Sequence, residues 1–322
     1  MRTKSKRLAI LLMIITILSV AGCGKTKDVQ EIDLSVAAQW MQQEVPEPMY
    51  GSVGGEWLVL GLARSSVQIS EDYFSSYYQN LENILTEYEG ILDERKYTEY
   101  SRVILALTAI GKNPENVAGY NLLTPLANYE KTIFQGINGP VFALLALDSG
   151  RYEIPLLEGE GIQADRQMYL EYILEKESPD GGWSLAGGAG EADMTAMVLQ
   201  ALAKYQEDEK IAAAIERGLQ FLSEQQQEDG GYIAYGTQSS ETVSQVIVAL
   251  TELGISPEDS RFVKNGTTLK ENLLSFMTEE GAFSHTLGEE ADLMATEQAF
   301  YALTALERAA QGETALYRMV SE

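Results

Sequence analysis

One cysteine and one histidine are all that 322 residues offer for thiolate or imidazole ligation of a metal, or for cross-linking. A Cys/His zinc site is therefore excluded, and so is a disulfide, because Cys23 has no second thiol to meet. Positive charge is scarce as well: 23 Lys and Arg stand against 48 Asp and Glu, a formal net charge of −25. Such a surface repels phosphate backbones and anionic head groups, which excludes nucleic-acid binding and polybasic docking to a membrane. After residue 20 no apolar run is long enough to span a bilayer. Strand signals of period two are rare throughout. No cofactor and no metal are expected.

What is present begins with a separate N-terminal object. Arg2, Lys4, Lys6 and Arg7 precede an apolar run from Leu8 to Val20, too short for a permanent span and patterned as a secretion signal. It ends in VAGC, residues 20–23, which resembles the lipobox of bacterial lipoproteins. That resemblance implies cleavage before Cys23 and a lipid on its thiol, holding the protein on an extracytoplasmic membrane face. Cleavage removes four of the 23 basic residues and none of the 48 acidic ones, so the lipid has to do the anchoring. The expected organisation is a signal over 1–23, a tether over 24–32, one large domain over 33–312 and a tail over 313–322.

The domain is repetitive. SRVILALTAIGKNP at 101–114 and SQVIVALTELGISP at 244–257 agree at 8 of 14 positions, and their spacing of 143 residues is close to three units of about 48. Further copies are WLVLGLARS at 57–65, VFALLALDSG at 141–150, TAMVLQALAKY at 195–205 and TEQAFYALTAL at 296–306. All six are rich in Ala and Leu with apolar side chains on several faces, as in helices buried on most sides. Between them lie single-striped amphipathic segments at 34–45, 73–88, 166–177, 210–226 and 268–279, with a sixth placed only loosely within 115–132. Inner and outer helices in alternation predict an all-α fold, an (α/α)6 toroid.

Turns punctuate the C-terminal half: DGGW at 180–183, DGGY at 229–232 and EGAF at 280–283. Their glycines permit a positive φ and a sharp reversal, and the aromatic is placed to cover the hairpin end, a mainly architectural role. GLQFLSEQQQEDGGY at 218–232 is similar to the QW repeat of squalene-hopene and oxidosqualene cyclases. The wider pattern, DGGW followed by ADMTAMVLQALAKY, resembles the prenyltransferase and squalene-oxidase repeat. Intrinsic factor and transcobalamin, the cobalamin carriers, share this toroid. The resemblance covers most of 33–312 and implies a fold, since many activities use the same scaffold.

The chemistry of those enzymes has no counterpart here. There is no DxDD run to protonate an alkene, no DDxxD run for magnesium, and no Cys/His set for zinc. Two functional readings stay open, beside a third in which the toroid is a structural spacer with no small ligand. The first is a ligand-binding or interaction protein, with a corrinoid, an isoprenoid, a glycan or an extracellular protein engaged at the N-terminal rim of the inner helices. Thr195, Gln200, Thr242, Gln245, Thr296, Gln298 and Tyr301 would supply hydroxyls and amides, and Trp183, Tyr232, Tyr235 and Phe283 an aromatic rim. The second is a carbohydrate-active hydrolase or lyase using rim carboxylates, with Asp193, Glu241 and Asp292 as candidates and Glu297 close by. Against both stands a plainer expectation, that Asp193, Thr242 and Thr296 are N-caps and His285 an exposed loop residue.

Overall fold

The structure, a computed structural model, describes residues 33–320. The signal, the lipobox and the tether lie outside the described residues. Asp33–Glu322 forms one compact unit.

Helices alternate between two rings. Outer α1 (Leu34–Glu44) leads to inner α2 (Trp57–Arg64), outer α3 (Glu71–Glu87) to inner α4 (Thr98–Ala109), and the short outer α5 (Tyr129–Thr132) to inner α6 (Asn138–Ser149). Outer α7 (Arg166–Glu175) then leads to inner α8 (Ala192–Leu202), outer α9 (Glu209–Gln225) to inner α10 (Ser240–Glu252), and outer α11 (Leu269–Leu274) to inner α12 (Leu293–Gln311). Each inner helix packs on its two inner neighbours, and α12 returns to α2, so the ring closes. The toroid expected from the repeat is the fold. The Leu, Val and Ala side chains of the inner helices are almost all buried, which is why these segments carry no single apolar stripe.

Three turns share one bonding scheme. In each, the residue four before the third turn position donates its N–H to that position's carbonyl: Ser178 to Gly182 at 2.8 Å, Gln227 to Gly231 at 2.9 Å and Thr278 to Ala282 at 2.8 Å. The preceding glycines, Gly181, Gly230 and Gly281, sit at φ of 83°, 85° and 78°, where a side chain would be strained. Asp180 accepts from Gly182 N at 3.2 Å and from Gly190 N at 2.9 Å, tying the turn to the loop that enters α8. Asp180→Ala should lower the unfolding free energy by about 1 kcal/mol, the net contribution of such bonds, in a chemical denaturation curve.

The turn aromatics are wedges. Trp183 Nε1 donates to Ile173 O at 2.8 Å, and the Tyr232 hydroxyl donates to Leu222 O at 3.0 Å. Both acceptors lie ten residues upstream, in the last turn of the outer helix, where each carbonyl also takes the N–H of the capping residue, Lys176 or Gln226, at 3.1 Å and has a second lone pair to offer. A large aromatic with a polar tip thus fills the hairpin and caps the helix at once.

Helix starts differ from expectation. The caps are Glu191, Ser239 and Asp292; Asp193 and Thr242 fall inside the first turn, and Thr296 one residue later. Thr195 and Thr296 instead accept the backbone N–H of Trp183 and Phe283, each at 2.9 Å. Residues 313–319 are packed rather than trailing. Arg64 binds the carbonyls of Leu316 and Ala315, each at 3.0 Å, and the Tyr317 N–H reaches the buried Glu252 carboxylate at 2.8 Å.

Candidate functional site

The centre of the ring holds a cavity of about 300 Å³, entered from the N-terminal ends of α8, α10 and α12. Three layers line it. The deep wall is aromatic: Trp57 lies 5.7 Å from Phe142 and 6.2 Å from Tyr301 between ring centroids, and Tyr317 of the folded C-terminal segment also lines it.

Above the aromatics runs an amide chain. Gln200 Nε2 donates to Gln245 Oε1 at 2.9 Å, and Gln245 Nε2 donates to Gln298 Oε1 at 2.8 Å and to the Tyr301 hydroxyl at 2.5 Å. Three inner helices are cross-linked in this way across the ring. The Gln298 amide NH2 has no acceptor among the described residues and is available to a ligand.

The mouth is acidic. Glu241 meets His285 Nδ1 at 2.5 Å through one oxygen and accepts from the Ser239 and Ser240 hydroxyls, each at 3.2 Å, through the other. That hydrogen bond raises the His285 imidazole above its ordinary value. Asp193 also lines the cavity, and its carboxylate has no hydrogen-bond partner among the described residues. Among the described residues no Lys or Arg side chain lines the cavity; His285 is the single basic group there, and Glu241 holds it.

Tyr235 overhangs this mouth. It sits at the tip of a two-stranded hairpin, β1 (Ile233–Ala234) paired with β2 (Thr237–Gln238), and its ring is 98% exposed. Met197 and Met294, contributed by α8 and α12, add adaptable apolar surface.

Of the residues singled out in the sequence, the cavity gathers Asp193, Tyr235, Glu241, Thr242, Gln245, Gln298, Tyr301 and also Gln200. It does not gather Trp183, Thr195, Tyr232, Phe283 or Thr296. All five are buried in the turns and hairpins, bonded or packed there, with no face open to a ligand. Two of the carboxylates leave the list for equally local reasons. Asp292 caps its own helix, accepting from Ala295 N at 2.8 Å. Glu297 is buried away from the cavity and accepts from Gly54 N at 2.7 Å. The contributions of Trp57, Phe142 and Tyr317 were missed. Their only signal in the sequence was a large aromatic inside an inner-helix segment or beyond the last repeat.

Solved structures with this architecture include enzymes of different chemistry. An ent-copalyl diphosphate synthase from Streptomyces platensis superposes at a TM-score of 0.56 with 18% identity, covering 78% of this chain and 50% of that one. The chain thus spans half the length of that synthase. An unsaturated glucuronyl hydrolase from Bacillus sp. GL1 superposes at 0.57 with 11% identity, over 90% of this chain and 98% of that one. A type II terpene cyclase from Scytonema, solved with merosterolic acid A, gives 0.52 and 12%, over 89% and 96%. No protein-family model matches the sequence, and no curated protein matches it. At these identities the likeness is one of fold.

Proposed function

We propose that the chain is a lipid-anchored, extracytoplasmic ligand-binding protein, carried on Cys23, whose central cavity takes a small uncharged ligand with an apolar body. The observation that carries this reading is the cavity's composition. An aromatic wall, an amide chain with a free Gln298 donor and an acidic mouth converge from α2, α6, α8, α10 and α12. Its volume lies at the low end for small-molecule sites. Two carboxylates and a histidine already held by one of them disfavour an anion, so a diphosphate or a uronate is a poor ligand here. A corrinoid is larger than the cavity. A neutral glycan or glycoside fits both size and charge.

Gln298→Leu keeps the side-chain volume and removes the free donor. It should weaken a bound ligand at least tenfold in calorimetric titration while leaving the melting temperature within a few degrees. Unchanged affinity would remove the amide chain from the site.

One observation favours a second reading, a carbohydrate-active hydrolase or lyase. The Glu241–His285 pair faces the cavity that Asp193 also lines, which supplies a proton-transfer group and a carboxylate. Release of reducing ends from a neutral polysaccharide, abolished by Glu241→Gln, would establish the hydrolase.

A further inference from the structure

A second, more polar groove of about 320 Å³ adjoins the central cavity. The two share Asp193, Ala234, Tyr235 and Thr242 in their walls, so they are compartments of one cleft passing beneath the hairpin. The outer compartment is bounded by Gly190–Asp193 at the entrance to α8 and by Gln225 and Gln227 at the end of α9. It contains carboxylates and amides and, among the described residues, no Lys, Arg or His.

The hairpin between them is unusual in its tip. Ala234 pairs with Thr237, leaving Tyr235 and Gly236 as a two-residue turn with φ of 51° and 90°. Positive φ at both positions defines the tight hairpin turn that Asn-Gly fills without strain. Tyrosine in the first position is a poor choice for the backbone, and its exposed ring gains nothing from packing against the protein. Strain of this kind, unrelieved by local contacts, belongs at ligand clamps. The base of the hairpin is pinned, with Gln238 bonded to Asp229 of the DGGY turn, so the strained ring is presented from a fixed support.

Resting on the central-cavity reading given above, we propose that the outer groove is a second subsite. The Tyr235 ring closes over a ligand spanning both compartments, an amphiphile with a compact apolar end and an uncharged, hydroxyl-rich end, of the class of alkyl or aryl glycosides. The apolar end meets Trp57, Phe142 and Met197. The sugar hydroxyls meet Asp193, Gln227 and Glu191, acceptors suited to a polyol, and the aromatic face of Tyr235 covers the sugar ring from outside. Gln227 Nε2 donates to Gln225 O at 2.8 Å, leaving its Oε1 as the acceptor offered to the groove.

The test uses hexyl β-D-glucoside and its two halves, hexanol and glucose, titrated into the compact unit Asp33–Glu322 and its Tyr235→Asn and Gln227→Ala variants. Tyr235→Asn suits the turn better than the native residue, so folding is preserved and the melting temperature should hold or rise. The expected result is glucoside affinity lowered at least tenfold by Tyr235→Asn and severalfold by Gln227→Ala, with hexanol affinity unchanged by either. Glucoside binding insensitive to both variants, but lost in Gln298→Leu, overturns the second subsite and leaves the central-cavity reading standing. Absence of binding by both hexyl glucoside and hexanol overturns the two together.

Discussion

Trp183→Ala should lower the unfolding free energy by about 4 kcal/mol, in the range found when a fully buried large aromatic is truncated. The indole has 0% exposure and is among the largest wholly buried side chains. Its loss leaves a void between α7 and α8, and Ile173 O in the last turn of α7 keeps only the Lys176 N–H at 3.1 Å of its two donors. The two losses separate by substitution. Trp183→Phe keeps most of the packing and should cost nearer 1 to 2 kcal/mol, for one lost buried hydrogen bond and a smaller ring. The molecule already contains this state, because Phe283 occupies the same place in the third turn with no polar tip. Equal costs for the two variants, read from denaturant midpoints, would show that the hydrogen bond and not the packing holds the hairpin.

The second large effect concerns buried acid. Glu297 is 1% exposed, with Oε1 on Gly54 N and Oε2 unpartnered; burial, with the charge of nearby Glu56, pushes it up to about 8. Glu56 is pushed up to about 7 for the same reason, although Arg102 beside it and hydrogen bonds from Gly51 N and the Tyr77 hydroxyl pull the other way. Glu99, which completes the cluster, opposes a further negative charge on Glu56. A carboxyl whose folded value exceeds its unfolded value holds its proton in the native state. The stability it lends is fully present below the unfolded value of 4.5 and is lost as pH rises through 7 to 8. The protein should therefore be more stable at pH 5 than at pH 8. Glu297→Gln, which keeps an acceptor for Gly54 N and cannot ionise, should add about 3 kcal/mol at pH 8 and change little at pH 5. A pH slope of the melting temperature identical in native and Glu297→Gln protein would contradict this.

The legible part of the fold was the part written by local periodicity. All six inner helices fall on the Ala- and Leu-rich segments, since burial on every side demands small and aliphatic residues regardless of neighbours. Outer α5 was less so: at Tyr129–Thr132 it is short, and a few residues carry too little of a 3.6-residue pattern to register. Outer α11 registered within 268–279, but its helix ends at Leu274.

Helix starts were misplaced for a different reason. From Trp183, Tyr232 and Phe283 the chain takes eight, seven and nine residues to the caps Glu191, Ser239 and Asp292. The three candidate rim carboxylates therefore stand at two structural positions: Asp193 and Glu241 lie second in their helices, where Met294 stands in α12. The sequence reading grouped Asp292, which caps its own helix, with two carboxylates that line a cavity. The polar half of the site, Gln200, Gln245, Gln298 and Tyr301, was readable because amides are unexpected on otherwise apolar inner helices. The aromatic wall was not, because Trp57, Phe142 and Tyr317 meet Tyr301 or its cavity only through closure of the ring.

The measurement that bears most directly on a ligand-holding cavity is native mass spectrometry of Asp33–Glu322 against a pool of neutral glycosides, oligosaccharides, corrinoids and polyprenyl phosphates. It is run in parallel on Met197→Trp, which fills the cavity from α8 without touching the turns. The account predicts a retained adduct of an uncharged ligand in the native protein and its loss in the filled variant. Adducts equally abundant in both, or retention of the phosphates in preference to the neutral compounds, would contradict it.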